Sequence, residues 1–541
     1  MEQFTVYLFL FSIIILLGHV FRKSTVPLVL ILVISGFLLS FIPLFPEMHL
    51  DSNLVLNIFL PLLVYQISAF SSWRDVKKQI RPIALLSIGH VIFITVLVAV
   101  VFHMLIPQMG WPLAFVLGAI VSPPDDVGIV ALAEKIRLPE RIFIILEGEG
   151  MFNDAAALTL FRYALAAAVT QEFSVSHAFF SFIAMIIGET VYGLIMGYVI
   201  GEIRSKISNT SLHVIATLLT PFIIYLPVVK LGGTGILATA IAGFVIGNKY
   251  TLRFTPEFRS ISMTLWPTLA FAINSVIFLL VGLNMRAVFM RISSIPFDTL
   301  MLYVGSITAV VIIGRFIWVY GALIFLPRFL LPYLRKKDPY PPWQYPFIIS
   351  WSGVRGGISL AAALAIPAFV LKGYAVDPRD LLIFLVVSII IVTLVLQGLS
   401  LPFILRKLGV DKIGQSERYS EHMSELQARA QMITAALHWL EEYSKKTKGH
   451  DKNLSEISRY IYQYETLKKH LDARISDHHA KSVHSEKAEK AEKKEDLSFL
   501  LKIIEIEKSE LAKLWQEEKI NIRTRNKLLA TLDHQVQYHV I

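Results

Sequence analysis

The first three-quarters of the chain alternates long apolar stretches with short polar ones. Windows of roughly 17 or more mostly apolar residues recur about thirteen times, and this length of helix crosses the hydrocarbon core of a bilayer. The pattern therefore predicts an all-α, polytopic membrane protein. The predicted spans are 4–20, 25–44, 53–71, 82–105, 112–133, 142–169, 175–203, 211–229, 233–248, 260–284, 297–327, 345–371 and 380–405.

The pattern changes near residue 410. The remainder holds 23 of the 51 Lys and Arg residues and 22 of the 41 Asp and Glu residues. Within it, 416–443 and 497–532 carry apolar residues at three- and four-residue spacing, which is typical of a helix with one buried face. We expect a transmembrane domain over 1–410 and a soluble, helical, cytoplasmic region over 411–541.

Basic residues are distributed unequally between the two predicted sides of the membrane. If the N-terminus lies outside, the inner loops hold 20 Lys and Arg residues and the outer loops hold 5. Because inner loops are enriched in positive charge, we expect a multi-pass protein of the cell (inner) membrane with its C-terminus in the cytoplasm. The net charge of +10 then reflects topology and does not indicate nucleic-acid binding. The chain has no cysteine, which excludes disulfides and thiol chemistry.

Two predicted spans contain carboxylates in the middle of the apolar window. Span six carries Glu147, Glu149 and Asp154, and span five carries Asp125 and Asp126. Asp125 and Asp154 lie roughly 20 Å and 18 Å into their spans at 1.5 Å per residue, close to the midplane of the bilayer. Ionisable groups at that depth are costly and by default mark an ion or proton path. We therefore predict a site for a monovalent cation and a proton at Asp154 and Asp125.

Spans five and twelve are predicted to be broken. Pro123 and Pro124 remove two consecutive backbone donors from span five, and three glycines surround Arg355 in span twelve. Discontinuous helices that cross at mid-membrane recur in secondary transporters, where their ends coordinate ions. The two spans are seven apart, which fits inverted six-helix repeats over spans two to seven and eight to thirteen.

Other intramembrane polar groups need partners, since an unpaired buried charge costs several kcal/mol. The simplest interpretation pairs Glu149 with Arg355 as a structural ion pair, and places Glu147 at backbone ends of the crossing. Glu189 and His90 are relay candidates, although such groups are more often satisfied by neighbouring helices.

Four motifs, in this order and spacing, resemble the monovalent cation:proton antiporter-1 family, the NhaP/NHE-type sodium/proton exchangers, in a bacterial subgroup with a helical tail. They are GAIVSPPDDVGIVAL, LPERIFIILEGEGMFNDAAALTLF, FLLVGL at 278–283 and WSGVRGGISLA at 351–361. The resemblance covers nearly all of 1–410. It implies thirteen helices, a homodimer, alternating access, and cations and protons as substrates, without a cofactor.

The resemblance also implies roles for individual residues. Asn153 and Asp154 match an Asn-Asp pair whose Asp carries the ion and the proton, and Asp125 matches the Asp of the crossing. Glu149 and Arg355 match a buried structural pair. Asn274 and Ser275 match a polar pair on span ten.

Several positions depart from the family pattern. The crossing motif has Pro124 where the family has Thr, and Asp126 where it has Pro; Ser122 is retained. Gly150 replaces a frequent Ser, and Gln66 replaces the Glu that some members have on span three. Ligand positions for sodium are thus altered, so the choice between Na⁺, K⁺ and Li⁺ stays open.

The leading hypothesis is a secondary antiporter that exchanges Na⁺ for H⁺, with an Asn-Asp pair that implies electroneutral exchange. A K⁺/H⁺ exchanger of the same fold is the alternative. From a different class, a channel or a non-transporting sensor could signal through the tail, but the sequence shows no repeated pore loop. It also shows no nucleophile–base constellation or nucleotide loop, so we do not expect an enzyme.

Overall fold

The computed structural model describes residues 2–21, 26, 28–42, 55–125, 138–170, 175–325, 329, 341–366, 377–446 and 454–481. Every regular element in these ranges is helical, which confirms the all-α prediction. The helices are α1 Glu2–Val20, α2 Leu28–Leu39, α3 Val55–Phe70, α4 Trp73–Lys78, α5 Ile80–Leu105, α6 Gly110–Val121, α7 Glu140–Thr170, α8 Val175–Ser205, α9 Thr210–Lys230, α10 Ile236–Val245, α11 Pro256–Arg291, α12 Phe297–Phe325, α13 Gln344–Trp351, α14 Gly357–Leu364, α15 Pro378–Lys407, α16 Val410–Lys446 and α17 Leu454–Lys481.

Each of the thirteen predicted apolar windows contains a described helix. Among the described residues, six helices are by themselves long and apolar enough to cross a membrane. Shorter apolar helices occupy other windows, among them α2, α3 and α6. The inverted repeat of six helices stays a prediction.

Both predicted breaks are present. The helix of span five, α6, ends at Val121, and the chain runs without helical structure as far as Asp125. In span twelve, 352–356 separates α13 from α14. The broken crossing helices are thus confirmed as far as the described residues extend; 126–137, which holds the second half of span five, lies outside them.

Glycines allow the membrane helices to approach closely. A Cβ atom added to Gly36 of α2 would lie 2.2 Å from the carbonyl oxygen of Leu279 in α11, and one added to Gly282 would lie 2.1 Å from that of Val33. Lipid supplies little hydrophobic drive for helix association, so close packing through small residues replaces it. The same device joins α5 and α6 at Gly118, where an added Cβ would lie 2.3 Å from the carbonyl oxygen of Thr95.

The chain divides into two compact units, Met1–Glu417 and Arg418–Ile541. The helix expected over 416–443 is confirmed within α16. The helix expected over 497–532 lies outside the described residues. The assignment of 411–541 to a soluble cytoplasmic region stays a prediction.

Candidate cation and proton site

One long helix, α7, carries most of the candidate residues. Its sequence is rich in Ala and Leu, with the polar run LEGEGMFND in its first half. Glu149 and Asn153 are buried, and Asp154 is 8% exposed. A continuous helix fixes the directions of these side chains, so each one meets a different neighbour.

The two broken segments meet beside α7. The backbone N–H of Asp125 donates to the carbonyl oxygen of Val354 at 2.7 Å, which joins the non-helical part of span five to that of span twelve. Asn153 Nδ2 donates to the carbonyl oxygen of Pro124 at 2.8 Å. Pro124 lies in the non-helical segment that follows α6, so the Asn153 amide joins α7 to the crossing.

Oxygen-bearing side chains lie at the crossing and on the part of α7 that is bonded to it. Asp154 follows Asn153 directly, and Asp125 is half-buried in the crossing. The Oδ1 atom of Asn153 is buried, and within the described residues it accepts no hydrogen bond. Carboxylate and carbonyl oxygens are suitable ligands for a hard cation, so the residues that meet here fit a site for a monovalent cation or a proton.

The side chain of Asp125 fills the space next to Gly356. A Cβ atom added at Gly356 would lie 1.3 Å from Asp125 Oδ2 and 2.1 Å from its Cγ. We expect Gly356→Ala to displace this carboxylate and to reduce exchange by at least tenfold in a transport assay. Gly305→Ala is the matched control, because an added Cβ there meets nothing within 4 Å. Normal transport by Gly356→Ala would show that the position of Asp125 is not critical.

Glu149 pairs with Arg315, so the predicted pair with Arg355 is wrong. Arg315 Nη1 and Nη2 donate to the two carboxylate oxygens of Glu149 at 2.6 Å and 2.8 Å, and both residues are 1% exposed. Arg315 Nε also donates to the carbonyl oxygen of Ile349 at 3.0 Å. A bidentate pair with charge-assisted bonds is the geometry that can offset the cost of burying two charges.

Arg355 instead holds the ends of two helices. Its Nε atom donates to the carbonyl oxygen of Val121, the last residue of α6, and Nη1 donates to that of Gly353, just beyond α13. The C-terminal end of a helix carries partial negative charge and unsatisfied carbonyls. The guanidinium group neutralises this charge, which explains why, among the described residues, the hydrogen-bond partners of this arginine are backbone carbonyls and not a carboxylate.

The remaining candidates are distributed around α7. Glu147 is half-buried, and its side chain accepts from Ser71 Oγ at 3.0 Å; the expectation that it bonds backbone ends at the crossing is therefore wrong. The other accessory residues fall into two groups by burial. Ser122, Gly150 and Ser275 are buried, whereas Gln66 and Asn274 are half-buried. Asp126 lies outside the described residues.

Sequence reasoning treated Glu189 as a relay candidate, but the structure gives it a capping role. Its carboxylate accepts five hydrogen bonds at 2.6–3.3 Å, four from backbone N–H groups at the start of α10 and one from the Thr234 hydroxyl. A carboxylate at a helix N-terminus satisfies the free N–H groups and the helix dipole. Glu189 is therefore a structural residue, which agrees with the expectation that such groups are more often satisfied by neighbouring helices.

A cavity of about 190 Å³ lies along another side of α7. Phe152, Ala155, Ala156 and Thr159 border it, at the three- and four-residue spacing of one helix stripe. Asp154 lies two positions from Phe152 and Ala156, which places it on a different side of the helix. Apolar groups from α5 and α8 form most of the opposite wall.

Comparisons with known proteins agree with this architecture. Residues 8–407 match the model of the family described as sodium/hydrogen exchanger, transmembrane. The chain belongs to the sodium/hydrogen exchanger family. Members of this family are secondary transporters and not enzymes, which confirms the transport class predicted from the sequence.

Named relatives of this exchanger include bacterial antiporters. It is 28% identical over 509 residues to the sodium, potassium, lithium and rubidium/H⁺ antiporter of Bacillus pumilus, a match covering 92% of this chain and 72% of that protein. It is 30% identical to the Na⁺/H⁺ antiporter ApNhaP of Aphanothece halophytica, covering 73% and 72%. The solved structure of the sodium/proton antiporter MjNhaP1 of Methanocaldococcus jannaschii shares the fold, with a TM-score of 0.60 at 18% identity over 75% of this chain and 99% of that one.

Proposed function

We propose that this exchanger moves Na⁺ across the membrane against H⁺, and that Asp154 and Asp125 bind the two ions in turn. One observation supports the proposal: Asn153 Nδ2 bonds to the carbonyl of Pro124 in the non-helical segment, which holds the carboxylate-bearing helix against the crossing. Asp154, the next residue of α7, is thereby kept one residue from this contact, and the ends of broken helices are where secondary transporters coordinate ions.

Exchange results because the cation and the proton compete for the same carboxylate. An ionised carboxylate attracts a cation, and a nearby cation favours the ionised form, whereas burial without a cation favours the protonated form. Asp154 is nearly fully buried, so it holds either a proton or a cation and only briefly neither. Glu149 does not compete for the cation, because Arg315 occupies both of its oxygens.

K⁺, Li⁺ or both are the second candidates as substrates. The Bacillus pumilus relative is named for sodium, potassium, lithium and rubidium, and a Bacillus subtilis protein with the same name is 31% identical over 75% of this chain and 62% of its own length. Gly150 has no side-chain oxygen where Ser is frequent in the family, and Gln66 offers a neutral amide oxygen where some members have a carboxylate. A site with fewer fixed ligands selects less strongly by ion size.

The test is a proton-flux assay in proteoliposomes with Li⁺, Na⁺, K⁺ and Rb⁺ compared. We expect each active cation to dissipate an imposed pH gradient, with Na⁺ among the most effective. Choline at the same ionic strength is the control. Failure of all four cations would refute the antiporter proposal and favour a sensor that signals through the tail.

The Asn153–Asp154 pair supports electroneutral exchange, one cation for one proton. We expect the equilibrium position of Na⁺/H⁺ exchange to be independent of membrane potential when K⁺ and valinomycin clamp it at several values. A reversal point that moves with voltage would contradict this stoichiometry. If the reversal point does move with voltage, Asp126→Pro tests whether Asp126 carries the additional proton. Removal of that carboxyl group should then make exchange independent of voltage.

We also propose that the exchanger lies in the cell membrane as a homodimer, with the N-terminus outside. The charge asymmetry of the loops supports this orientation, and the absence of cysteine simplifies its test. Single cysteines replace Leu50 and Lys337, and an impermeant reagent is added to intact cells. We expect labelling at position 50 and none at 337 until the cells are opened; the reverse pattern would refute the topology.

A further inference from the structure

Ser71 places one hydroxyl proton between two acceptors, the Glu147 carboxylate and a backbone carbonyl. Ser71 follows the end of α3, and its Oγ lies 3.0 Å from Glu147 Oε1 and 2.7 Å from the carbonyl oxygen of Ile67. A carboxylate and a carbonyl are both acceptors, whereas a hydroxyl has one proton to donate. With Glu147 ionised, Ser71 can therefore serve only one of the two oxygens at a time.

Protonation of Glu147 makes both contacts hydrogen bonds. The carboxyl proton is then donated to Ser71 Oγ, and the hydroxyl proton goes to Ile67. When Glu147 is ionised, the hydroxyl turns to it, and the Ile67 carbonyl keeps its backbone bond from the Ser71 N–H at 3.1 Å. Because no buried group loses its last partner in either state, Ser71 accommodates both states of Glu147 without the cost of an unsatisfied group.

Glu147 also lies on the Asp154 side of α7. The two carboxylates are seven residues apart, which is nearly two helical turns and about 10 Å along the axis. Gly150, three residues from one and four from the other, adds no side chain between them. Met151 lies beside this line and is buried with Val76, Ile83 and Phe244. Glu149, by contrast, points to Arg315.

Within the described residues, Ser71 is the hydrogen-bond partner of the Glu147 side chain, and no basic group forms an ion pair with it. The neighbouring charges have other contacts. Lys78 donates to Asp75 at 2.8 Å and thereby holds the pKa of that carboxyl below its usual value. Arg81 donates to the Leu323 carbonyl, and the Lys249 ammonium lies over the Tyr198 ring. The other charged groups on the elements packed here, α4, α13 and the end of α10, are Arg74 and Lys77.

We infer that Glu147 is a second binding station for the cation and the proton, between Asp154 and the water at the Glu140 end of α7. A cation that arrives there meets the ionised carboxylate and continues to Asp154. The proton that Asp154 releases returns along the same side of the helix and leaves through Glu147. One cation thus enters for each proton that leaves, and the exchange stoichiometry is unchanged. The inference rests on the function proposed above.

The test compares Glu147→Gln with the unmodified exchanger, with the cation supplied from each side of the membrane in turn. Everted and right-side-out vesicles present the two faces. When the cation is supplied from the Glu140 end of α7, we expect the apparent KM to rise about fivefold, equivalent to roughly 1 kcal/mol. The pH dependence of this KM should flatten, because glutamine has no titratable proton and its neutral amide attracts a cation less strongly than a carboxylate. The KM from the opposite side should change by less than twofold, whereas the maximal rate in that direction should fall by a similar factor, because the cation then leaves, and the proton enters, through the altered end.

Two further variants separate binding from structure. Ser71→Ala keeps the Glu147 carboxylate but removes the group that serves both of its states, so we expect the pH midpoint of that same KM to shift while its value at high pH changes little. Glu257→Gln is the matched control, since it removes an exposed carboxylate from the first turn of α11. Equal KM changes from both sides, or an unchanged KM and pH profile in Glu147→Gln, would overturn the inference. Absence of transport by the unmodified exchanger would instead overturn the proposed function.

Discussion

Asp154→Asn is expected to abolish cation/proton exchange while the protein remains folded. The amide is nearly the same size as the carboxylate, so the packing around this buried position is retained. An amide, however, neither ionises nor takes up a proton at physiological pH. We expect no cation-dependent proton flux above that of empty proteoliposomes, together with an unchanged elution profile and thermal unfolding midpoint.

Asp298→Asn is the control for this variant. Asp298 is exposed in the first turn of α12, so its loss removes the same charge without touching the crossing. It should transport at the normal rate. If Asp154→Asn also transports normally, Asp154 is not the ion carrier, and Asp125 becomes the leading candidate.

Arg315→Met is expected to destabilise the membrane domain by about 3–5 kcal/mol. It would leave Glu149 buried, 1% exposed, without the guanidinium group that occupies both of its oxygens. The Ile349 carbonyl would lose a donor at the same time. We expect a lower thermal unfolding midpoint in detergent and a reduced yield of folded protein, with Arg286→Ala, an exposed arginine on α11, close to normal.

A double-mutant cycle distinguishes a lost ion pair from a lost volume. Glu149→Leu combined with Arg315→Met removes both charges, and replacing a buried pair by apolar groups is often neutral or stabilising. We therefore expect the double variant to be more stable than either single variant. If the losses of unfolding free energy in the two single variants simply add in the double variant, the two residues are not energetically coupled. The ion pair would then not account for the stability of this region.

The elements of this fold were predictable because the bilayer imposes a simple rule. Apolar windows of sufficient length become helices, since a helix satisfies every backbone group within its own segment. The breaks at Pro123–Pro124 and around Arg355 were predictable for a related reason: two missing donors or a cluster of glycines cannot sustain a helix there. The Asn153 bond to Pro124 fits the same chemistry, because a buried carbonyl in a non-helical segment needs a donor.

Side-chain pairing was not predictable from depth alone. Arg315 and Arg355 both lie inside predicted spans, and only one carboxylate, Glu149, needed a permanent partner. Which arginine reaches it depends on the relative rotation of α7, α12 and α13, and the hydropathy pattern contains no information on rotation. The presence of three arginines inside predicted spans, Arg162, Arg315 and Arg355, was the available signal. The Ser71–Glu147 contact was not predicted either, because it also depends on the rotation of α7. A serine at a helix end is too common to indicate a particular partner.

The cavity beside α7 has a mechanical consequence. Protein interiors are close-packed and resist compression, so a helix enclosed on all sides moves only if its neighbours yield. Along the stripe from Phe152 to Thr159, α7 instead borders a cavity of about 190 Å³ and not a packed neighbouring helix. Small tilts in that direction force no side chain out of its rotamer, whereas shifts toward the Arg315 side strain an ion pair. The helix that carries Asp154 is thus compliant on one side and stiff on another, which gives its displacement a preferred direction.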